Sequence, residues 1–150
     1  MQTRFPMETL MVALVAGILW ALFPSPGAAQ IAPGYSIEMS RMIPMRDGVE
    51  LEAWISKPDN PKSKAPTVLE FTQYDIDGGR RRDFAAFVTR GFVFVQAYVR
   101  GRGKSGGVKT DNLGLQVGRD GYDVVEWIAK QPWSDERVVM YNGSFVSMTQ

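Results

Sequence analysis

The sequence predicts an α/β domain with a mainly parallel sheet entered through an antiparallel edge hairpin. Three observations carry that expectation. Residues 37–39 and 49–55 alternate or nearly alternate apolar and polar side chains around Arg46-Asp47-Gly48, and Asp-Gly between β-formers marks a hairpin. Residues 92–99 (FVFVQAYV) form a largely apolar run of β-branched and aromatic residues, as in a strand covered on both faces. Helical patterns stand on either side of that run, and strands alternating with helices build parallel sheets.

In chain order, the first feature reads as an export signal. Arg4 gives a weak positive start, residues 10–23 (LMVALVAGILWALF) are uninterruptedly apolar, and Pro24-Ser25-Pro26 ends the run. Gly27-Ala28-Ala29 supplies the small residues a signal peptidase needs, which predicts cleavage before Gln30. A membrane anchor is the alternative, but a span needs about 20 apolar residues and this run is shorter. Residues 1–29 are therefore expected to be a signal peptide and residues 30–150 the domain, placing the product in the periplasm or outside the cell without stable membrane insertion.

After the hairpin, residues 57–66 (KPDNPKSKAP) lack large apolar side chains and read as a surface connection, followed by a short strand at 67–71. Residues 80–90 place Phe84, Phe87 and Val88 at helical spacing, with Gly91 positioned to end the helix. Residues 119–130 put Gly121, Val124, Val125 and Ile128 on one helical face, with Trp127 and Trp133 expected to pack the helix onto the sheet. Asp120 and Asp123 are expected on a solvated face or as helix N-terminal charges. Pro132 stops the helix, and residues 137–141 (RVVMY) read as another buried strand, running into Asn142-Gly143-Ser144.

Composition narrows the chemistry. With 150 residues, 45% hydrophobic and 22% charged, the chain has enough material for one domain with a core. The net charge of +1 gives no electrostatic reason to expect nucleic acid as a partner. There is no cysteine, hence no disulfide, thiolate nucleophile or Cys-based metal site. There is no histidine either, so the commonest general base and metal ligand are both missing. No cofactor and no metal are expected.

Sites in such sheets lie at the carboxyl ends of the strands. Tyr74, Arg100 and Ser144 each follow a predicted strand. Gly101-x-Gly103-x-x-Gly106, followed by Gly107, matches a dinucleotide fingerprint letter for letter, which keeps a nucleotide-binding module open as an alternative. A true fingerprint opens a helix within the motif, whereas this chain stays irregular for about a dozen residues. Ser144, on a small-residue turn between a strand and a helix start, has the setting of a nucleophile elbow, but the same setting suits an ordinary N-cap. Asn142 and Val146 occupy the places where G-x-S-x-G has glycine.

Several motifs in order point further. Met42-Ile43-Pro44-Met45-Arg46-Asp47-Gly48-Val49 resembles the opening of the cocaine esterase / X-Pro dipeptidyl-peptidase family of serine hydrolases. The likeness continues through Thr72-Gln73-Tyr74-Asp75, the 99–107 loop, Asp120-Gly121-Tyr122-Asp123 and 126–134 (EWIAKQPWS). It ends on Val138-Val139-Met140-Tyr141-Asn142-Gly143-Ser144-Phe145. The resemblance implies the N-terminal portion of an α/β-hydrolase fold and acyl hydrolysis of a small ester, amide or peptide. It makes Ser144 the nucleophile and assigns the oxyanion hole to the Phe145 backbone N–H and the Tyr74 phenol.

Three positions depart from the family pattern, which usually has glycine at Val139, Asn142 and Ser147. The family's catalytic Asp and His, its cap and its β-sandwich domain come from later in its sequence. The chain therefore reads as truncated after the elbow and inactive, or nearly so, by itself. A non-catalytic exported α/β protein is the other alternative.

Overall fold

The computed structural model describes residues 34–59, 63–76, 81–110, 114–141 and 143–149, so the expected signal peptide and Asn142 lie outside the described residues. The domain opens on a hairpin of β1 (Tyr35–Pro44) and β2 (Glu50–Pro58), paired antiparallel. The Met45 N–H donates to the Val49 carbonyl at 2.7 Å, and the Gly48 N–H to the Met45 carbonyl at 3.0 Å. Gly48 closes the turn at φ +84°, a conformation glycine enters without steric cost.

Strands β3 (Ala65–Thr72), β4 (Val93–Tyr98) and β5 (Ser134–Met140) complete a sheet ordered β1-β2-β4-β3-β5. β3 pairs parallel with β4 and β5, while β2 joins β4 antiparallel. Helix α1 (Arg81–Val88) covers one face, where Phe84 and Val88 meet Val68 and Phe94. Gly91 at φ +91° ends it, donating its N–H to the Val88 carbonyl. Helix α2 (Leu115–Ala129) contributes Val117, Val124 and Ile128 to the other core, with Leu51, Leu69, Phe71 and Val95. Trp127 and Trp133 pack against it as expected. β3 and β4 are covered on both faces, so apolar runs suit them.

Three expectations need correction. α2 begins at Leu115 rather than 119; Leu115 is exposed, so no apolar periodicity announces this first turn, which the Gln116 side chain ties to Asp120 at 2.9 Å. β5 is not covered on both faces: Val139 is 54% exposed, and the strand also has no further partner along its outer edge among the described residues. Asp120 and Asp123 are not solvated charges. Asp120 is buried against Arg100, and Asp123 grips Arg46 across the top of the hairpin.

Candidate active site

The three parallel strands end at one rim, and this is what gathers residues from distant parts of the sequence. After β5 the chain turns sharply at Ser144, which sits at φ 59°, ψ −131°. A non-glycine residue there costs about 1–3 kcal/mol and persists only where its surroundings enforce it. The enforcement comes from helix α3 (Phe145–Met148), whose Phe145 and Val146 are buried. Thr149 Oγ1 donates to the Val146 carbonyl at 2.9 Å and lies 3.3 Å from the Phe71 carbonyl of β3, and the Tyr141 N–H donates to the Leu69 carbonyl at 3.1 Å.

Although Ser144 stands at the N-cap of α3, its side chain makes no capping hydrogen bond. The turn instead holds the side chain exposed at the rim, with Oγ 3.5 Å from the Tyr74 hydroxyl. Phe145 is the first residue of α3, a position whose N–H has no acceptor within its own helix. The departures from the family pattern leave room for this turn: Val139 is largely exposed, and Ser147 Oγ bonds the Ser144 carbonyl at 2.7 Å.

Tyr74 lies just past β3. Its N–H donates to Thr72 Oγ1 at 3.0 Å, and the Ile76 N–H donates to the buried Tyr98 hydroxyl at 2.9 Å, pinning the segment on both sides. The Tyr74 and Phe145 rings meet edge to face, 6.4 Å apart. Lys109 joins this cluster, its Nζ donating to Gln73 Oε1 and standing 4.7 Å from the Phe145 ring centroid. Sequence reasoning missed Lys109; a single lysine among glycines and threonines carries no local signal.

Arg100 is a structural anchor rather than part of the hydroxyl cluster. Its guanidinium donates to both Asp120 oxygens, at 2.7 and 2.8 Å, and reaches Asp47 at 2.7 Å. The Asp120 hydrogen bonds, against the opposing effect of burial and with help from Asp47, raise the Arg100 pKa further above its ordinary value.

The glycine loop is consumed by its own scaffold. The N–H groups of Gly101, Arg102, Lys104, Ser105 and Gly106 donate respectively to Gly106 O, Val99 O, Glu52 Oε2, Arg102 O and Glu50 O. Among the described residues no helix opens between this loop and Leu115, so these amides form no phosphate cradle of the fingerprint kind. No group of three or more potential metal ligands occurs among the described residues.

A sheet of this order, helices on both faces and a serine on a strained strand-to-helix turn define the N-terminal portion of an α/β hydrolase. The sequence pattern of the X-Pro dipeptidyl-peptidase (S15) family matches residues 47–150, and the chain belongs to that family. It is 31% identical over 121 residues to the cocaine esterase of Rhodococcus sp. (strain MB1 Bresler), covering 77% of this chain and 21% of that enzyme. It superposes on a CocE/NonD family hydrolase from Staphylococcus aureus with a TM-score of 0.69 and 26% identity, over 75% of this chain and 24% of the other. An α-amino acid ester hydrolase gives a TM-score of 0.69 at 28% identity, over 85% and 25% of the two chains. The chain thus spans about a fifth of the length of the curated relatives it matches.

Proposed function

We propose that the chain carries the nucleophile and the oxyanion hole of a serine acyl hydrolase acting on ester or amide bonds, X-Pro peptide bonds among them. The observation that carries this reading is the pair of hydroxyls 3.5 Å apart at the strand rim, one on a residue held at φ 59°. Ser144 Oγ attacks the substrate carbonyl carbon, and the carbonyl π electrons move onto oxygen. That oxyanion accepts hydrogen bonds from the Phe145 N–H and the Tyr74 phenol, two donors held in place before the charge develops. Collapse expels the alcohol or amine, which takes up the proton that left Ser144, and leaves an acyl-serine that water then releases as the acid.

The Ser144 proton needs a base, and the chain has no imidazole to take it. In this reading the base and its orienting carboxylate come from the later part of the family fold, so the 150 residues alone turn over little or no substrate. An exported location, with residues 1–29 removed, belongs to the same proposal.

The test joins the chain to the C-terminal portion of a family relative and treats the product with a fluorophosphonate, reading the adduct by peptide mass. Label should fall on Ser144 and vanish in Ser144→Ala. Tyr74→Phe should slow acylation by about 10² to 10³-fold, the usual cost of one oxyanion donor. A folded, complemented protein that never labels at Ser144 would overturn the reading in favour of a non-catalytic exported protein. ATP and NAD titrations should show no binding at residues 101–107.

A further inference from the structure

The two donors of the proposed oxyanion hole come from different strand ends. Tyr74 follows β3 and Phe145 follows β5, and the backbone pairing that joins these strands lies below the rim, ending at Leu69, whose carbonyl accepts from the Tyr141 N–H. Above the rim, Lys109 spans the gap. Its ammonium donates a hydrogen bond to Oε1 of Gln73, the residue preceding Tyr74, and its charge faces the Phe145 ring at 4.7 Å. The Phe145 ring in turn meets Tyr74 edge to face. The contacts therefore close a circuit from 109 through 73, 74 and 145. Lys109 is half-buried, and no carboxylate among the described residues pairs with it. Its held contacts are thus the ones to this cluster.

We propose that Lys109 is a positioning residue of the oxyanion hole, clamping the Tyr74 segment to the elbow and so setting the separation of the phenol and the Phe145 N–H. This rests on the roles proposed above for Ser144, Tyr74 and Phe145. Lys109 does not touch the reacting atoms in this scheme; it acts through Tyr74 and Phe145. A methionine at this place keeps an unbranched stem and loses both contacts, whereas arginine retains a donor for Gln73 and a cation for the ring.

The experiment uses the chain joined to the C-terminal portion of a family relative, as above, with excess fluorophosphonate, following the Ser144 adduct by mass. Lys109→Met should slow labelling about tenfold, in the range of one charge-assisted contact, and Lys109→Arg should recover most of the rate. In a Tyr74→Phe background Lys109→Met should slow it no further, which a general loss of structure would not reproduce. If Tyr74→Phe slows labelling while Lys109→Met does not, the clamp is overturned and the oxyanion hole stands. If Ser144 does not label, or labels indifferently to Tyr74→Phe, the roles of those residues fail instead. Hydrogen exchange by mass spectrometry then decides the clamp by itself. Lys109→Met should speed exchange in residues 73–76 and 145–148 and leave 93–98 unchanged; unaltered exchange in the first two segments overturns it.

Discussion

Ser144 shows how one residue can work against the stability of its own fold. Its φ of 59° is a cost that glycine would not bear. Ser144→Gly should therefore raise unfolding stability by about 1 kcal/mol in urea titration while removing the hydroxyl. Gly103 presents the opposite case: at φ +54°, a Cβ there would lie 2.5 Å from both Glu52 Oε2 and the ring of Tyr98. The Tyr98 ring is buried and cannot swing away. Gly103→Ala should cost at least about 2 kcal/mol, read as a lowered urea midpoint. Thr67 buries a hydroxyl with no partner among the described residues, so Thr67→Val should gain about 1 kcal/mol. Of the hydroxyl cluster, Ser144 and Tyr74 were legible because they sit in family-like motifs after strands. Lys109 was not, since only the folded chain brings residues 73, 109 and 145 together.

The connection between elements is electrostatic at the hairpin end. The hairpin turn supplies Arg46 and Asp47, the glycine loop supplies Arg100, and α2 supplies Asp120 and Asp123. Arg100 and Asp120 are both nearly enclosed, so Asp120→Ala would leave the guanidinium only its half-exposed Asp47 partner and should destabilise by about 1–3 kcal/mol, measurable by calorimetry. The Arg46 hydrogen bonds hold the Asp123 carboxyl below its usual range, despite the counteracting burial. For Glu52, burial pushes the pKa upward, but bonds from the Ser40 hydroxyl, the Lys104 N–H and the Trp54 indole outweigh it and leave the group lowered. A carboxylate depressed in the folded state binds its proton more readily when unfolded. These two groups therefore stabilise the fold above a pH of about 4, and that contribution is lost as pH falls through their folded values. The urea midpoint should drop between neutral pH and about pH 3, and Asp123→Asn should flatten part of that slope. Helix periodicity identified α2 but placed its aspartates in solvent, because their cationic partners lie at least twenty residues away in sequence.

For the molecule as a whole, the strand order β1-β2-β4-β3-β5 leaves β5 on one side without a neighbour among the described residues, with Val139 and Tyr141 exposed. An unpaired apolar edge invites pairing between molecules. The chain should self-associate with rising concentration, and Val139→Lys should reduce this in light scattering without lowering the urea midpoint. The alternation of strands and helices in the sequence was enough to foresee the layers. It did not foresee that one face of RVVMY stays open, because a short apolar run looks the same whether one or two faces are covered. The two rims of the sheet differ in what they tolerate. The hairpin turn, the glycine loop, Tyr74 and Ser144 share one rim, cross-linked by side chains. The link from β2 to β3 leaves by the other, where Asp59, Ser63 and Lys64 are exposed. A fluorescent tag or an affinity handle belongs there: spliced between 59 and 64, it would report on the protein while leaving its working end untouched.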